Sequence, residues 1–516
     1  MAENSAYDTY TSPLASRNAS KEMLRLWSAR HKFNTWRRIW LAVAEAQHEM
    51  GLPVSKEQVE ELRAVVKRPG GITDEEMKAA EKYERELRHD VMAHVHALGD
   101  SCPKAKGIIH LGMTSQDVND NAELRILDSS LRFVIEKTTY SVNALAQQAE
   151  RFKHLPTLAF THYQAAQPLT VGRRFAQWSY ELSLSSDMLS KAWMFVVERR
   201  RGLRGATGTQ ASYLSLFGDD SRAVDELESR MYYGLEEHPP YPSGTPGFAE
   251  KITLAHTYAL VTQTYPRVID AFILASLASV ASVLHKIATD IRLLCNRKEI
   301  DEPFEEKQIG SSAMPYKRNP MRCERICGLS RFVMNLVGNA YDTAATQWLE
   351  RTLDDSSNRR LSLPEAFLAL DGALDLMHNV ASGLIVHEAT VKKNLMAELP
   401  FMATENILMA CVKLGADRQE YHERIRVHAQ AAGLRVKQEG LDNDLLERLR
   451  NDPAFKSKSQ GGTLSGELDW AGVMDPMKYV GRSVEQTERF IEQVVKPLRE
   501  QYGEAIAKLG GDGPRV

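Results

Sequence analysis

The longest uninterrupted apolar stretch of the 516-residue chain runs from Ala271 to Leu284 and includes three serines. Its 14 residues are too few for a membrane-spanning helix, which needs about 20. A helix that is apolar on all sides must instead be buried among other helices. The stretch therefore predicts the centre of a helical bundle, on a helix at about 266–297.

Other segments repeat their apolar residues with the helical period, whereas the alternating pattern of strands is scarce. One amphipathic helix is predicted from Trp36 to Met50, and a second from Leu124 to Phe152. Long helices joined by loops are typical of a helical bundle, so the fold class is predicted to be all-α. Further helices are expected at about 168–200, 320–340 and 364–383.

Composition excludes several classes of protein. Hydrophobic residues make up 43% and charged residues 26% of the chain, as in soluble globular proteins. The net charge is only −3, so no overall field favours nucleic acid or a membrane surface. The five cysteines are scattered and odd in number, which argues against a disulfide framework. Because the first residues also lack the features of a signal peptide, a cytoplasmic protein is expected.

Residues 309–325, IGSSAMPYKRNPMRCER, have the least ordinary composition in the chain. Gly310 and two serines open a flexible turn, and Asn319 and Pro320 are predicted to be the N-cap and first residue of a helix. Free N–H groups at a helix N-terminus favour an anion. The segment is therefore predicted to bind negative charge, and the alternative is a basic surface loop. Four cations reinforce the first reading: Lys317, Arg318, Arg322 and Arg325.

The string GSSAMPYKRNP, residues 310–320, resembles the GSSxMPxKxNP loop of the fumarase/aspartase superfamily, in the version found in adenylosuccinate lyases. The resemblance covers nearly the whole chain, from SPLASR at 12–17 to GR at 481–482. It implies a three-domain, all-α fold with a long central helical bundle. The implied domains are an N-terminal helical domain, 1–113, the central bundle, 114–386, and a C-terminal helical domain, 387–516.

The segment RHDVMAHVH, residues 88–96, contains three histidines. On a helix His89 and His96 share a face and His94 does not, so a metal would meet only two of them. No metal site is predicted, and a helix with structural histidines is the simplest interpretation. The segment also resembles the substrate-contacting segment of the lyases. That resemblance implies three residues facing the substrate: Arg88, His89 and Asp90.

Two further segments carry polar residues just ahead of predicted helices. In 107–121, Thr114 and Ser115 precede a helix, where N-capping alone would explain them. The resemblance implies that they bind substrate carboxylates. In 161–172, THYQAAQPLTVG, His162 is expected in a loop before a helix opened by Pro168. Histidine titrates near pH 7, and the resemblance implies that His162 is the general acid, with Thr161 beside it at the substrate.

The segment RTLDDSSNRR, residues 351–360, is expected to precede a helix that Pro364 helps to start. Guanidinium groups suit phosphate and carboxylate oxygens, although acid-rich capping would also explain the segment. Asn18 stands where the family usually has a tyrosine, and the loop at 236–247 is longer than usual. Residues implied to hold the phosphate and succinyl groups are Arg351, Ser356 and Arg360. Other implied substrate contacts are Arg17, Asn18, Gln263, Asn319 and Arg325.

The resemblance implies two cofactor-free reactions: cleavage of adenylosuccinate to AMP and fumarate, and of the succinylated imidazole-carboxamide ribotide (SAICAR) to AICAR and fumarate. Removing a proton next to a carboxylate requires a base and stabilisation of the charge that develops. Ser311 is the predicted base, and Lys317 and the helix N-terminus at Asn319 are predicted to hold that charge. A homotetramer with active sites shared between subunits is implied as well.

Three alternatives remain open. Argininosuccinate lyase, a sister enzyme, would lack the phosphate-binding arginines. A non-catalytic relative should have lost Ser311 or His162, and both are present. A nucleotide-binding regulator would bind AMP without turning over substrate.

Overall fold

The computed structural model describes residues 8–198, 201–235 and 262–509. The predicted long loop at 236–247 lies outside these residues.

The first part of the described chain consists of short and medium helices. A single helical turn, Leu14–Asn18, precedes them. The helices are α1 (Lys21–Leu26), α2 (Ala29–Glu49), α3 (Lys56–Val66), α4 (Asp74–Leu87) and α5 (Asp90–Ser101). Polar caps begin several of them; α3 and α4 each start with a capping box, formed by Ser55 with Gln58 and by Thr73 with Glu76.

The middle part contains the long helices. Its elements are α6 (Ser115–Arg151), β1 (Pro156–Thr161), β2 (Gln164–Thr170), α7 (Val171–Glu198), α8 (Ala211–Leu216), α9 (Ser221–Leu235), α10 (Val268–Asn296), β3 (Ile300–Asp301), α11 (Met321–Ala345), α12 (Asp354–Gly383) and β4 (Ile385–Val386). Helices α6, α7, α10, α11 and α12 pack on one another as a bundle. The predicted all-α architecture is confirmed, apart from two small two-stranded sheets.

The last part returns to shorter helices. They are α13 (Glu388–Met402), α14 (Thr404–Lys413), α15 (Arg418–Leu434), α16 (Leu445–Asn451), α17 (Trp470–Val473), α18 (Ser483–Phe490) and α19 (Lys496–Leu509). Single helical turns lie at Arg435–Glu439, Pro453–Phe455, Lys458–Gln460, Pro476–Lys478 and Ile491–Val495. Helix α18 packs on α7, and α19 packs on α6.

Buried apolar residues form three clusters in the described chain. One fills the bundle and takes in Met23 and Leu26 of α1. Another joins α2, α3 and α5 to α9 and the start of α6. The third lies between Ala403 and Leu468. The domain boundaries near 113 and 386 stay predictions.

Helix α10 contains the apolar stretch and is long and apolar enough to span a membrane by length and composition alone. Its packing against α7, α11 and α12 accounts for that composition, because a helix in a bundle core needs the same apolar surface. One stripe of the helix stays accessible, and Phe272 on it is 38% exposed. The prediction of burial on all sides is therefore wrong for this single chain.

The bundle has two distinct ends. At one end, α6 passes into β1, and Gln148 near its C-terminus donates to the Ser382 carbonyl at the C-terminus of α12. Arg297, after α10, lies 4.6 Å from the Phe160 ring centroid of β1. The opposite end holds the N-termini of α6 and α12. At 1.5 Å per residue, the 37 residues of α6 separate the two ends by about 55 Å.

The segment around His162 differs from its prediction, because it is a β-hairpin and not a loop followed by a helix. Strands β1 and β2 pair antiparallel. His162 and Tyr163 connect them with φ values of 54° and 57°, as in a type I′ turn. Pro168 does not open a helix; it lies in β2 near a register shift opposite Leu158, where a missing N–H costs no ladder bond.

Two helix starts also differ from prediction. Helix α12 begins at Asp354, ten residues before Pro364, which lies inside it. Packing of α12 against α6 and α11 stabilises the turn that proline alone would disfavour. Ser356 and Arg360 are therefore on the helix. Helix α11 begins at Met321 with Pro320 as its N-cap, one residue later than predicted.

Candidate active site

The predicted site residues fall into two groups at opposite ends of the bundle. The first cluster gathers around the N-termini of α6 and α12. The second cluster lies around β1–β2 and the start of α11. Members of the first cluster are Arg88, His89, Asp90, Thr114, Ser115, Gln263, Arg351, Ser356 and Arg360. Members of the second cluster are Arg17, Thr161, His162, Ser311, Lys317, Asn319 and Arg325, while Asn18 lies against Gly372 in the interior of α12.

Direct contacts join the 88–90 segment to both helix starts of the first cluster. The His89 ring Nε2 lies 3.3 Å from the Ser115 Oγ. Arg360 donates to the Asp90 carboxylate at 2.7 Å. Burial alone would raise the pKa of Asp90, but Arg360, the Val91 N–H and Lys32 outweigh it and hold that pKa below its usual value. Asp90 thus remains ionised and fixes the position of Arg360.

A cavity of about 300 Å³ opens between α2, α6 and α12. Arg351, Ser356 and Arg360 line it together with Gln116 and Lys32. The three residues implied to hold the phosphate and succinyl groups therefore share one concave site. Arg351 makes no ion pair with the described carboxylates, although Asp355 lies close enough to act on it through space. Its guanidinium is available to an anion.

Asp117, which is fully buried, ties the first cluster together. Its Oδ2 accepts from the Thr114 N–H at 2.8 Å and from the Tyr213 hydroxyl at 2.9 Å. Its Oδ1 accepts from Arg201, which is also fully buried. The Arg204 N–H donates to the same oxygen at 2.8 Å. One carboxylate therefore positions the start of α6 and the segment after Arg201.

Arg201 extends this network to Gln263. Its Nε and Nη2 donate to the Gln263 carbonyl at 2.9 and 2.5 Å. The Gln263 side-chain Oε1 is buried and has no hydrogen-bond partner among the described atoms. Since a buried polar atom left unpaired is costly, this oxygen can accept a hydrogen bond from a ligand. Gly202, at φ +76°, lets the chain turn past Glu228, into which a Cβ atom would collide.

The Ser311 loop dominates the second cluster and closes on itself. Ser311 Oγ accepts from the Met314 N–H at 3.1 Å, and the Asn319 side chain donates to the Gly310 carbonyl at 2.9 Å. Gly310 is required there, because a Cβ atom would lie 2.1 Å from the Lys317 carbonyl oxygen. Lys317 itself is exposed. The loop thus carries both the predicted base and the predicted cation.

The predicted anion site at the N-terminus of α11 is already filled by a side chain of this protein. The Glu302 carboxylate accepts from the Arg322 and Cys323 N–H groups at 3.0 and 3.1 Å. Arg322 bonds to the Pro303 carbonyl and Glu305. The prediction that free N–H groups and an Asn319 cap would hold the developing charge is therefore wrong. The charge would depend on Lys317 and neighbouring cations.

Arg17 and Arg325, two members of the second cluster, lie close together. Burial lowers the pKa of Arg325, and the positive charges of Arg17 and Arg322 lower it further. Two neighbouring guanidiniums favour an anion between them. Asn18 packs its backbone against Gly372 of α12, and its amide donates to the Pro13 carbonyl at 3.1 Å. The Asn18 side chain thus stabilises the helical turn Leu14–Asn18, to which it belongs.

Thr161 and His162 are exposed at the tip of the hairpin, and no described residue hydrogen-bonds to the His162 ring. The hairpin and the Ser311 loop lie at the same end of the bundle, yet no hydrogen bond or ion pair joins them among the described residues. Neither reaches the first cluster. A single chain thus assembles the predicted site residues into two separate clusters, and it does not join the two clusters into one site.

Comparison with known proteins reveals the family. A model described as "Lyase" matches residues 16–214 and 245–335, and one described as "Adenylosuccinate lyase C-terminus" matches 400–490. The adenylosuccinate lyase of Schizosaccharomyces pombe is 48% identical over 494 residues, covering 95% of each chain. That of Saccharomyces cerevisiae is 46% identical over 508 residues, covering 98% of this chain and 99% of the relative. The chain belongs to the adenylosuccinate lyase family.

Solved structures agree on the fold. The fumarate lyase of Mesorhizobium sp. BNC1 superposes with a TM-score of 0.72 at 21% identity, covering 94% of this chain and all of that one. The 3-carboxy-cis,cis-muconate lactonizing enzyme of Pseudomonas putida gives a TM-score of 0.74 at 22% identity, covering 94% and 98%. The long-helix bundle of this chain is thus also the fold of these two enzymes, which carry different names.

Sequence reasoning missed three residues that structure the first cluster: Asp117, Arg201 and Lys32. Asp117 could have been found, because Thr114 to Asp117 has the T-x-x-D spacing of a capping box. Arg201 and Lys32 carry no such local signal. Their positions depend on which helices pack together.

Proposed function

We propose that this chain eliminates fumarate from adenylosuccinate, giving AMP, and from SAICAR, giving AICAR. The observation that carries the proposal is the shared cavity of Arg351, Ser356 and Arg360, in a chain related over its full length to adenylosuccinate lyases. A phosphate-bearing substrate suits two guanidiniums and a hydroxyl. Argininosuccinate has no phosphate, which disfavours the sister activity.

The reaction begins with removal of the proton next to a carboxylate, and Ser311 is the proposed base. The carboxylate then carries extra negative charge, which Lys317 on the same loop would stabilise. His162 would protonate the departing nitrogen. Thr114 and Ser115, anchored by Asp117, would hold the other carboxylate through hydroxyl and backbone donors. The buried Gln263 amide would orient the substrate.

Activity should be measured by absorbance with adenylosuccinate, SAICAR and argininosuccinate under the same conditions. We expect turnover of the first two and none of the third. Measurable cleavage of argininosuccinate without cleavage of adenylosuccinate would contradict the proposal.

We further propose a homotetramer whose active sites combine residues of different subunits. The two clusters lie at opposite ends of helices about 45 to 55 Å long, so one chain cannot join them. An antiparallel neighbour would bring one chain's first cluster beside another's second cluster. Large apolar side chains near both clusters are exposed in the single chain, as expected of surfaces that a neighbouring subunit covers. Exposed fractions are 75% for Ile309, 84% for Tyr316, 76% for Trp348 and 98% for Leu349.

Mixing His162→Gln and Ser311→Ala proteins under conditions of subunit exchange tests this arrangement. If the two residues come from different subunits, random exchange should restore about a quarter of wild-type activity. Each variant mixed with itself is the control and should stay inactive. Hybrid tetramers verified by mass spectrometry but lacking activity would refute the proposal.

We also infer a cytoplasmic location. All five cysteines are free, and four of them are buried, as expected in a reducing compartment. Thiol titration of the denatured protein, purified without reductant, should find five thiols. A lower number would indicate disulfides and contradict the inference.

A further inference from the structure

Lys32, in the first turn of α2, points its ammonium group into the cavity of the first cluster. Its Nζ lies 4.9 Å from the Trp36 ring centroid and 5.5 Å from that of Phe33. Within 8–198, 201–235 and 262–509, it has no hydrogen bond or ion pair. Aromatic faces attract a cation but do not neutralise it.

The carboxylates that line the cavity are already bonded to other cations. Arg267 holds Asp120 at 3.2 Å and Asp355 at 2.7 Å. Arg359 holds Glu123 at 2.7 Å. These ion pairs are buried or nearly so, which makes them poor partners for another cation.

Asp90 and Glu84 also act on Lys32 through space without an ion pair to it, and Arg360 already bonds to Asp90. Burial lowers the pKa of the Lys32 ammonium, and the charge of Arg360 lowers it further. Placing a cation in such a site without a counter-ion is costly. A lysine with a shifted pKa that lines a cavity is a candidate binding residue.

We propose that Lys32 is a further binding residue for the phosphate of the nucleotide substrate, beside Arg351, Ser356 and Arg360. A phosphate dianion matches the two cations of the cavity that lack a carboxylate partner among the described residues, Lys32 and Arg351. Lysine binds phosphate as a compact point charge, which requires no fixed fork geometry. This assignment rests on the proposed function, because it takes the substrate to be a nucleotide.

Two variants separate the charge of Lys32 from its packing. Lys32→Met keeps the length of the side chain without the charge, and Lys32→Arg keeps the charge. Lys78→Met, on the exposed face of α4, is the control. Dissociation constants for AMP, adenosine and fumarate should be measured by calorimetry, along with kcat and KM for adenylosuccinate. Thermal melting of each variant reports its folding.

Lys32→Met should weaken AMP binding and raise KM by about 10- to 100-fold, the value of one charged hydrogen bond. Adenosine and fumarate binding and kcat should change by less than about threefold, because neither ligand carries the phosphate. Lys32→Arg should restore most of the AMP affinity. Unchanged AMP affinity in a folded Lys32→Met protein overturns the proposal, as does a loss of fumarate affinity alone.

A failure of the proposed function would look different. The wild-type protein would then not cleave adenylosuccinate, whatever stands at position 32. AMP binding by calorimetry still decides the role of Lys32 in that case. Should Lys32→Met fail to fold, Lys32→Gln and Lys32→Arg give the same comparison, and equal AMP affinity in those two overturns the proposal.

Discussion

Replacing Asp117 with asparagine should destabilise the protein and weaken substrate binding together. The carboxylate accepts five hydrogen bonds, from Thr114, Arg201, Arg204, Gly205 and Tyr213. Asparagine keeps one acceptor oxygen and places N–H groups where the second oxygen stood. At least one donor, such as the Thr114 N–H, would then face another donor.

The expected magnitude follows from burial. The side chains of Asp117 and Arg201 are both 0% exposed, and breaking such a pair costs about 3–5 kcal/mol. Arg201 keeps the Gln263 carbonyl and lies 3.8 Å from Asp120. The lower end of that range, about 3 kcal/mol, is therefore expected. The unfolding entropy of a chain of 516 residues is about 1 kcal/mol/K, so this loss should lower the Tm by about 3 °C.

Calorimetric melting and steady-state kinetics provide the assay. Tyr213→Phe removes one neutral donor and should cost about 1 kcal/mol. Glu485→Gln removes an exposed partner of Arg482 and should leave the Tm unchanged. KM should rise for Asp117→Asn, because Thr114 loses its anchor and Arg201, which holds Gln263, loses its ion pair. An Asp117→Asn protein that melts within 1 °C of wild type would refute the reasoning, as that small shift lies below about 1 kcal/mol.

The other predictions concern chemistry and pH. Ser311→Ala and His162→Gln should each lower turnover by about 10²-fold or more while substrate still binds; a near-normal kcat would remove that residue from the acid–base pair. Lys317→Ala should lower kcat more than it raises KM, since the charge it faces grows in the transition state; a change in KM alone would contradict this. Burial, together with the positive charge of Arg37, lowers the pKa of His94 to about 4. Between pH 6.5 and 4, His94 is therefore protonated in the unfolded chain and neutral in the folded chain. Stability should fall by up to about 3 kcal/mol across that window, and His94→Phe should flatten the fall in urea midpoints; an unchanged slope would refute it.

Much of the architecture could be predicted from local pattern. The apolar stretch at 271–284 indicated a bundle helix, and the periodic residues indicated α2 and α6. Such predictions succeed because helical hydrogen bonds and side-chain period are local properties. The motif around Ser311 identified the superfamily for a similar reason, since its residues are contiguous.

Predictions failed where a local signal competed with distant partners. Pro364 indicated a helix start, yet α12 begins ten residues earlier and continues past this proline, because it packs against α6 and α11. Asn319 indicated a helix cap, yet Glu302 from outside the motif caps α11. The hairpin at His162 depends on pairing between strands that carry little alternating pattern.

The sequence by itself determined the helices, the family and the residue types available for catalysis. Only the tertiary structure decided that these residues form two clusters at opposite ends of the bundle, and that Lys32, Asp117 and Arg201 belong to the first. Helix packing brings together residues that are tens or hundreds of positions apart. No local spacing encodes which faces will meet, because that choice depends on burial over the whole bundle at once.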